Sequence, residues 1–99
     1  ANISRLASSV NAVLFTGGGT DIVKDGKLSE FGQAGKQLYD AIVEANEGGE
    51  YMPLWATCLG FEMLHILASG DPSVLSGGFD SENFSMALDM TPSAATSRL

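Results

Sequence analysis

The sequence predicts an α/β fold in which parallel strands alternate with helices. Two short apolar runs, residues 10–15 and 54–57, each lead through a tight turn into a segment with helical periodicity. A strand-helix-strand-helix order favours parallel pairing, because the helix carries the chain back to the same end of the sheet. Such sheets bind ligands at the carboxyl ends of their strands, so we expect a site at the two turns.

The first half of the chain follows from local signals. Val10 to Phe15 is apolar and ends in three glycines, which predicts a buried strand. Residues 21–27 are polar and predict a loop. Ser29 is a suitable N-cap for a helix over residues 31–45, where apolar side chains recur at helical spacing. Gly48-Gly49 then predicts its end.

The second half opens on a predicted strand over residues 54–57. A helix is predicted over residues 61–69, amphipathic from Met63 to Ala68 and ended by Gly70-Asp71-Pro72. From there the chain is rich in Ser, Gly, Asp and Thr. Apolar and polar residues alternate over 84–90, which predicts a half-exposed strand, whereas residues 93–99 show no pattern.

Composition excludes several classes of partner. The chain has 99 residues, enough for one small domain or part of a larger one. Its net charge is −7 with five Lys and Arg, which argues against nucleic-acid surfaces and anionic membranes as partners. No apolar run approaches the roughly 20 residues of a membrane-spanning helix. A single cysteine excludes an internal disulfide.

That cysteine, Cys58, stands between a predicted strand and a predicted helix. Ala56 lies two residues before it and Gly60 two residues after it, the small-x-Cys-x-Gly spacing of a nucleophile elbow. Small neighbours are needed because the bend has no room for side chains beside the sulfur. The following helix N-terminus favours negative charge there. The alternative interpretation is an inert, buried core cysteine.

The glycine loop, Gly17-Gly18-Gly19, also has two interpretations. It is either a flexible turn after a strand or a segment that brings bare backbone close to a ligand. No Lys-Ser or Lys-Thr follows it, so a nucleotide cradle is disfavoured and no cofactor is expected. His65 is seven residues past Cys58, about 10 Å along a helix, too far to act as its base. Cys58 and His65 alone are too few for a metal site.

Two motifs resemble gamma-glutamyl hydrolases, of the class I glutamine-amidotransferase-like superfamily. One is residues 51–62, Tyr-Met-Pro-Leu-Trp-Ala-Thr-Cys-Leu-Gly-Phe-Glu; the other is residues 10–21, Val-Asn-Ala-Val-Leu-Phe-Thr-Gly-Gly-Gly-Thr-Asp. The resemblance implies that residues 1–99 belong to one such domain, a flavodoxin-like three-layer sandwich with a mainly parallel sheet. It implies that the segment is incomplete at both ends, the rest coming from further sequence or another chain, and it allows a homodimer.

The resemblance also implies the chemistry. Cys58 would attack a gamma-glutamyl bond, as in folate polyglutamates, and form a thioester. The backbone N–H of Leu59 would donate to the oxyanion, with Gly18, or next Gly17, supplying a second N–H. Glu62 would meet the substrate's α-ammonium group or remain a solvated carboxylate. A base and an acid would come from outside this segment, and Tyr51 and Trp55 are expected in the core.

Two other functions remain open at this stage: the glutaminase domain of an amidotransferase, and a non-catalytic subunit that keeps the fold. The Phe61-Glu62 pair disfavours the first. The resemblance implies a secretory, lysosomal, vacuolar or extracellular setting. Two N-glycosylation sequons, at Asn2 and Asn83, agree with that setting without proving it.

Overall fold

The computed structural model describes residues 2–98 and has an α/β architecture with three α-helices. The elements in chain order are α1 (Ile3–Ala7), β1 (Val13–Phe15), β2 (Val23–Lys24), β3 (Lys27–Leu28), α2 (Glu30–Glu47), β4 (Leu54–Ala56), α3 (Leu59–Ser69) and a 3-10 helix (Pro92–Thr96).

Strands β1 and β4 pair in parallel, with Val13 opposite Leu54 and Phe15 opposite Ala56. The predicted parallel arrangement is therefore confirmed. Both strands are shorter than predicted, since β1 begins at Val13 rather than Val10 and β4 ends at Ala56. Their carboxyl ends lie side by side, so the turns that follow them are neighbours.

The loop predicted over residues 21–27 is wrong, because β2 and β3 form an antiparallel hairpin there. Its two central residues, Asp25 and Gly26, have φ values of 52° and 72°. Both are positive, as in the type I′ turns that match the twist of paired strands, and Asp-Gly is a favoured sequence for such turns. That dipeptide is the signal in the sequence for the hairpin.

Helix α2 begins as the sequence predicts. The Ser29 hydroxyl caps it by accepting a hydrogen bond of 3.1 Å from the Gly32 N–H. The helix ends at Glu47 with Gly48 as its C-cap, and Gly49 follows with φ of 91°. Asn46, in its last turn, uses its side-chain amide to bond both the N–H and the C=O of Met52, which fixes the approach to β4.

The core is small and lies between β1, the hairpin and α3. Its main cluster consists of four buried apolar side chains, Phe15, Ile22, Met63 and Ile66, and Ala7, Ile42 and Met52 are also buried. Helices α2 and α3 approach closely at Gly35, where a Cβ would overlap the Met63 side chain. Helix α1, capped by the Asn2 side chain, packs against α2.

The strand predicted over residues 84–90 is wrong. No strand is present in that segment, and Phe84, Met86, Leu88 and Met90 are all exposed. The alternating pattern gives a strand only where another strand edge is within reach, and none is adjacent in the described residues. The patternless segment contains the 3-10 helix, which starts at Pro92; Leu99 lies outside the described residues.

Candidate active site

Cys58 occupies a strained backbone position between β4 and α3. It is the N-cap residue of α3 with φ 55° and ψ −120°. The Gly60 N–H donates to the Thr57 carbonyl at 3.0 Å, which closes a β-turn with Cys58 as its first central residue. These angles are those of a type II′ turn, where glycine is the usual residue. The predicted bend is therefore present and holds a residue that does not adopt it easily.

Gly60 pins this bend to the end of β1. Its N–H donates a second hydrogen bond, 3.1 Å long, to the Thr16 carbonyl, and the Thr57 N–H donates to the Phe15 carbonyl at 3.0 Å. A Cβ on Gly60 would come within 2.6 Å of the Phe15 carbonyl carbon and Cβ. Only glycine allows this approach, so the spacing Cys58-x-Gly60 has a direct steric cause.

The glycine loop lies against Cys58. A Cβ on Gly17 would be 3.2 Å from the Cys58 Cβ and 3.6 Å from its Sγ, and a Cβ on Gly18 would be 3.4 Å from the Leu59 side chain. Gly19 has no such neighbour. The structure therefore brings together the two segments that the sequence singled out, and of these glycines Gly17 is nearest the sulfur.

Three backbone N–H groups near the thiol are unused within residues 2–98. No hydrogen bond there engages the N–H of Gly17, Gly18 or Leu59, whereas the Gly60 N–H already has two acceptors. The Cys58 side chain is a free, exposed thiol. An accessible sulfur can attack a carbonyl carbon, and unpaired N–H groups are the kind of donor that stabilises the resulting oxyanion. The interpretation of Cys58 as a buried core residue is therefore wrong.

Glu62 lies in the first turn of α3, and its backbone N–H donates to the Cys58 carbonyl at 3.0 Å. The residue is exposed, and its carboxylate has no salt bridge within the described part of the chain. This position is compatible with either a contact to a cationic substrate group or simple solvation. The role of Glu62 stays a prediction.

His65 is turned to a neighbour on its own helix. Its Nδ1 lies 2.8 Å from the Phe61 carbonyl oxygen, and its ring centroid is 4.3 Å from that of Phe61. A carbonyl oxygen only accepts, so Nδ1 carries the proton in this arrangement. This bond does not engage Nε2, so the exclusion of His65 as the base of Cys58 rests on the spacing along the helix and stays a prediction.

Trp55 and Tyr51 are not core residues, contrary to the prediction. They are 61% and 84% exposed. Leu54 and Ala56 are half-buried, and Trp55 points to the opposite side because side chains alternate along a strand. The Trp55 indole N–H donates to the Thr57 hydroxyl at 3.1 Å. An exposed aromatic group therefore stands beside the bend, which the alternation over Leu54-Trp55-Ala56 would have indicated.

An open cavity of about 580 Å³ adjoins the glycine loop. The loop, β1, α2 and α3 line it, with Phe15, Gly35 and Met63 among its residues. A groove of about 620 Å³ lies away from Cys58, between α1 and α2.

No cluster of three His, Cys, Asp or Glu side chains suited to a metal occurs among residues 2–98. No helix in this range has the length and apolar character to cross a membrane.

The chain is similar to curated gamma-glutamyl hydrolases from distant organisms. It is 34% identical to the human protein over 94 residues, 95% of this chain and 28% of the human protein. The mouse protein is 32% identical over 99 residues, covering 100% of this chain and 29% of its own length. Gamma-glutamyl hydrolase B of Dictyostelium discoideum is 28% identical over 98 residues, 99% of this chain and 27% of that protein.

The chain is a homologue of the gamma-glutamyl hydrolases. These relatives are enzymes, and the chain spans less than a third of the length of each of the three. No protein-family model and no solved structure matches the chain. The resemblance drawn from the two sequence motifs is therefore confirmed, and it extends over almost the whole chain.

Proposed function

We propose that the protein to which this chain belongs hydrolyses gamma-glutamyl bonds with Cys58 as its nucleophile. The observation that carries the proposal is the backbone of Cys58, held at φ 55° in a bend with its thiol exposed and the glycine loop against it. Such a position is unfavourable for a non-glycine residue and is typical of functional sites. The homologues' shared name supplies the bond that is cleaved.

The chemistry follows from the groups around the sulfur. The thiolate attacks the γ-carbonyl carbon, the C=O electrons move to oxygen, and the resulting oxyanion accepts hydrogen bonds from the Leu59 N–H and from Gly17 or Gly18. Collapse expels the amine, which takes a proton from a general acid, and leaves a thioester on Cys58. Water then attacks the thioester and releases the acyl fragment with a free γ-carboxylate, which is glutamate for a simple γ-glutamyl peptide, together with the free thiol.

The general base and acid are proposed to lie outside residues 1–99. His65 lies on α3 and is separated from Cys58 by about 10 Å along the helix, whereas a proton-transfer hydrogen bond reaches about 3 Å. We propose that the remaining sequence adds strands on the free edges of the β1–β4 pair and completes a flavodoxin-like sandwich. Glu62 is proposed to meet the α-ammonium group of substrates that have a free amino-terminal γ-glutamyl residue.

Substrate and location are proposals of the same kind. Folate polyglutamates and related gamma-glutamyl peptides are the proposed substrates, and a secretory, lysosomal or vacuolar compartment is the proposed setting. A homodimer is compatible with this proposal. Secretion can be checked by locating the full-length protein and by testing Asn2 and Asn83 for glycans.

The decisive test uses the full-length protein and a gamma-glutamyl peptide. Rapid quenching followed by mass spectrometry should find a glutamyl adduct on the peptide that contains Cys58. Iodoacetamide should label the same cysteine, and the rate of labelling should equal the rate at which hydrolytic activity is lost. Full activity in a Cys58→Ala variant would exclude the mechanism, and glutamine hydrolysis without gamma-glutamyl peptide hydrolysis would favour the glutaminase alternative.

A further inference from the structure

The β2–β3 hairpin carries two lysines opposite each other. Lys24 and Lys27 are direct cross-strand partners, separated along the chain by the Asp25-Gly26 turn. The chain has only five Lys and Arg against twelve Asp and Glu. Like charges placed opposite each other weaken a strand pair, so this arrangement does not serve the hairpin's own stability.

Both lysines point to solvent. The other cross-strand pair, Val23 and Leu28, is half-buried and packs against the core, and neighbouring residues of a strand face opposite sides. Lys24 and Lys27 are exposed and form no salt bridge within residues 2–98. By contrast, Lys36 is paired with Asp40 one helical turn away on α2.

The hairpin is fixed at the same end of the sheet as Cys58. Ile22, the residue before β2, is buried with Phe15, the last residue of β1. The Ser29 N–H donates to the Ile22 carbonyl at 2.9 Å and its hydroxyl donates to the Asp21 carbonyl at 2.6 Å. The hairpin is therefore tied at its base and follows the glycine loop directly along the chain.

We propose that Lys24 and Lys27 lie at the rim of the proposed site and form a subsite there for the free carboxylates of a γ-linked glutamyl chain. The inference rests on the proposed function. A γ-linked glutamate keeps its α-carboxylate, so each further residue adds one negative charge, which a chain of net charge −7 would otherwise repel. The flexible ammonium groups of lysine suit carboxylates whose positions shift as the substrate shortens.

Asp25, in the turn between the lysines, provides a control whose expected effect on binding is opposite to that of the lysine substitutions. Its carboxylate opposes binding of an anionic chain, so Asp25→Asn should tighten binding while Lys24→Gln and Lys27→Gln weaken it. Asparagine tolerates the positive φ of 52° at this position, so the hairpin should be kept. A purely structural role of the hairpin would not give effects of opposite sign.

The experiment compares γ-linked diglutamyl and pentaglutamyl substrates with the full-length enzyme. The Lys24→Gln/Lys27→Gln double variant should raise KM for the pentaglutamyl substrate by about threefold to tenfold, with little change for the diglutamyl substrate or in kcat. The difference should shrink in roughly 0.5 M salt, where the Debye length falls below about 5 Å. Lys36→Gln, at the paired lysine, should leave both KM values unchanged.

Binding of γ-linked pentaglutamate to the Cys58→Ala variant, measured by calorimetry, separates this inference from the proposed function. Weaker binding after the two lysine substitutions supports the subsite whether or not hydrolysis occurs. An unchanged affinity, or an equal KM change for both substrate lengths, overturns the subsite and leaves the proposed hydrolysis standing. Absence of gamma-glutamyl hydrolysis in the wild type overturns only the proposed function.

Discussion

Residues 13–69 contain every strand and most of the core, whereas residues 70–98 have only one short 3-10 helix. In the second region, Ala94 alone is half-buried and every other described residue is exposed. The Cα radius of gyration is 15.3 Å, against about 13 Å for a compact chain of this length. Both regions have apolar residues with a regular period, so periodicity alone does not order a segment.

The difference lies in what each apolar residue can reach. Phe15 meets Gly60, Met63 and Ile22 because tight turns bring their elements back along the chain. Phe84 and Leu88 have no strand edge beside them within the described residues and remain 68% and 79% exposed. A strand pattern therefore predicts a strand only when its partner is also present.

The largest expected effect concerns the first region. Cys58→Ser in the full-length protein should lower kcat by roughly 10⁴-fold or more, because the proposed covalent step is lost. The fold should be retained, as shown by an unchanged circular dichroism spectrum. Steady-state hydrolysis of a gamma-glutamyl peptide measures the loss; turnover within tenfold of the wild type would contradict the nucleophile assignment.

Substitutions in the glycine loop have the next largest expected effect. Gly18→Val or Gly17→Val should lower kcat by about 10²–10³ with little loss of stability, because the side chain displaces an N–H from the developing oxyanion. Gly19→Val is the matched control, since a Cβ on Gly19 meets no atom within 4 Å. If all three variants keep the wild-type kcat in steady-state assays, the loop does not supply an oxyanion donor.

Gly60→Ala tests how closely α3 is held to β1. The new Cβ would overlap the Phe15 backbone, so the helix must shift, and we expect a loss of about 2–4 kcal/mol in the free energy of unfolding. Gly77→Ala, in the exposed second region, has open space around it and should change stability by less than about 0.5 kcal/mol. Urea denaturation of the full-length variants gives both values, and equal values would remove the contrast between the regions.

Phe84 tests the comparison in the second region, where its side chain is exposed. In the isolated chain, Phe84→Ser should change stability by no more than about 0.5 kcal/mol, because the side chain is 68% exposed. In the full-length protein it should cost about 2 kcal/mol or more if the segment gains a strand partner there. A matching small effect in both would show that residues 84–90 stay unpaired.

The smallest effect is a titration within the second region. The Ser73 hydroxyl and then its N–H donate to the Asp71 carboxylate at 2.7 and 2.8 Å, and they hold the pKa of Asp71 below its ordinary value of 3.8. Any stability this turn adds is present above the ordinary pKa and is lost as the pH falls through the lowered one. NMR titration should show a low midpoint that rises in Ser73→Ala; an unchanged midpoint would mean that the turn is not populated.

Much of the first region could be predicted because its signals are local. Ser29 and Gly48-Gly49 mark the ends of α2, and Ala56-x-Cys58-x-Gly60 marks the bend. The polar composition of residues 21–27 suggests a loop and outweighs the hairpin signal of Asp25-Gly26, so the hairpin is missed. The exposure of Trp55 and the unpaired state of residues 84–90 depend on which surfaces are covered, and one segment's sequence does not contain that information.

The site was predictable to the same extent. The turn chemistry around Cys58 and the nearby glycines could be inferred from spacing, whereas which of Gly17 and Gly18 lies nearer the sulfur depends on how the two turns pack. Gly17 is the closer to the sulfur, because at Gly18 the loop already faces the Leu59 side chain. Distances of this size depend on the packing of two separate turns, which no single motif fixes.

The backbone of Cys58 also bears on how this sequence would change if its chemistry were no longer needed. Glycine is the residue that fits φ 55° and ψ −120° without strain, and the strain of other residues at such angles is about 1–3 kcal/mol. A lineage released from catalysis would therefore gain stability through a Cys58→Gly replacement and drift toward it. If Cys58 is the proposed nucleophile, a related chain with glycine at this position would combine a relaxed bend with loss of the reaction.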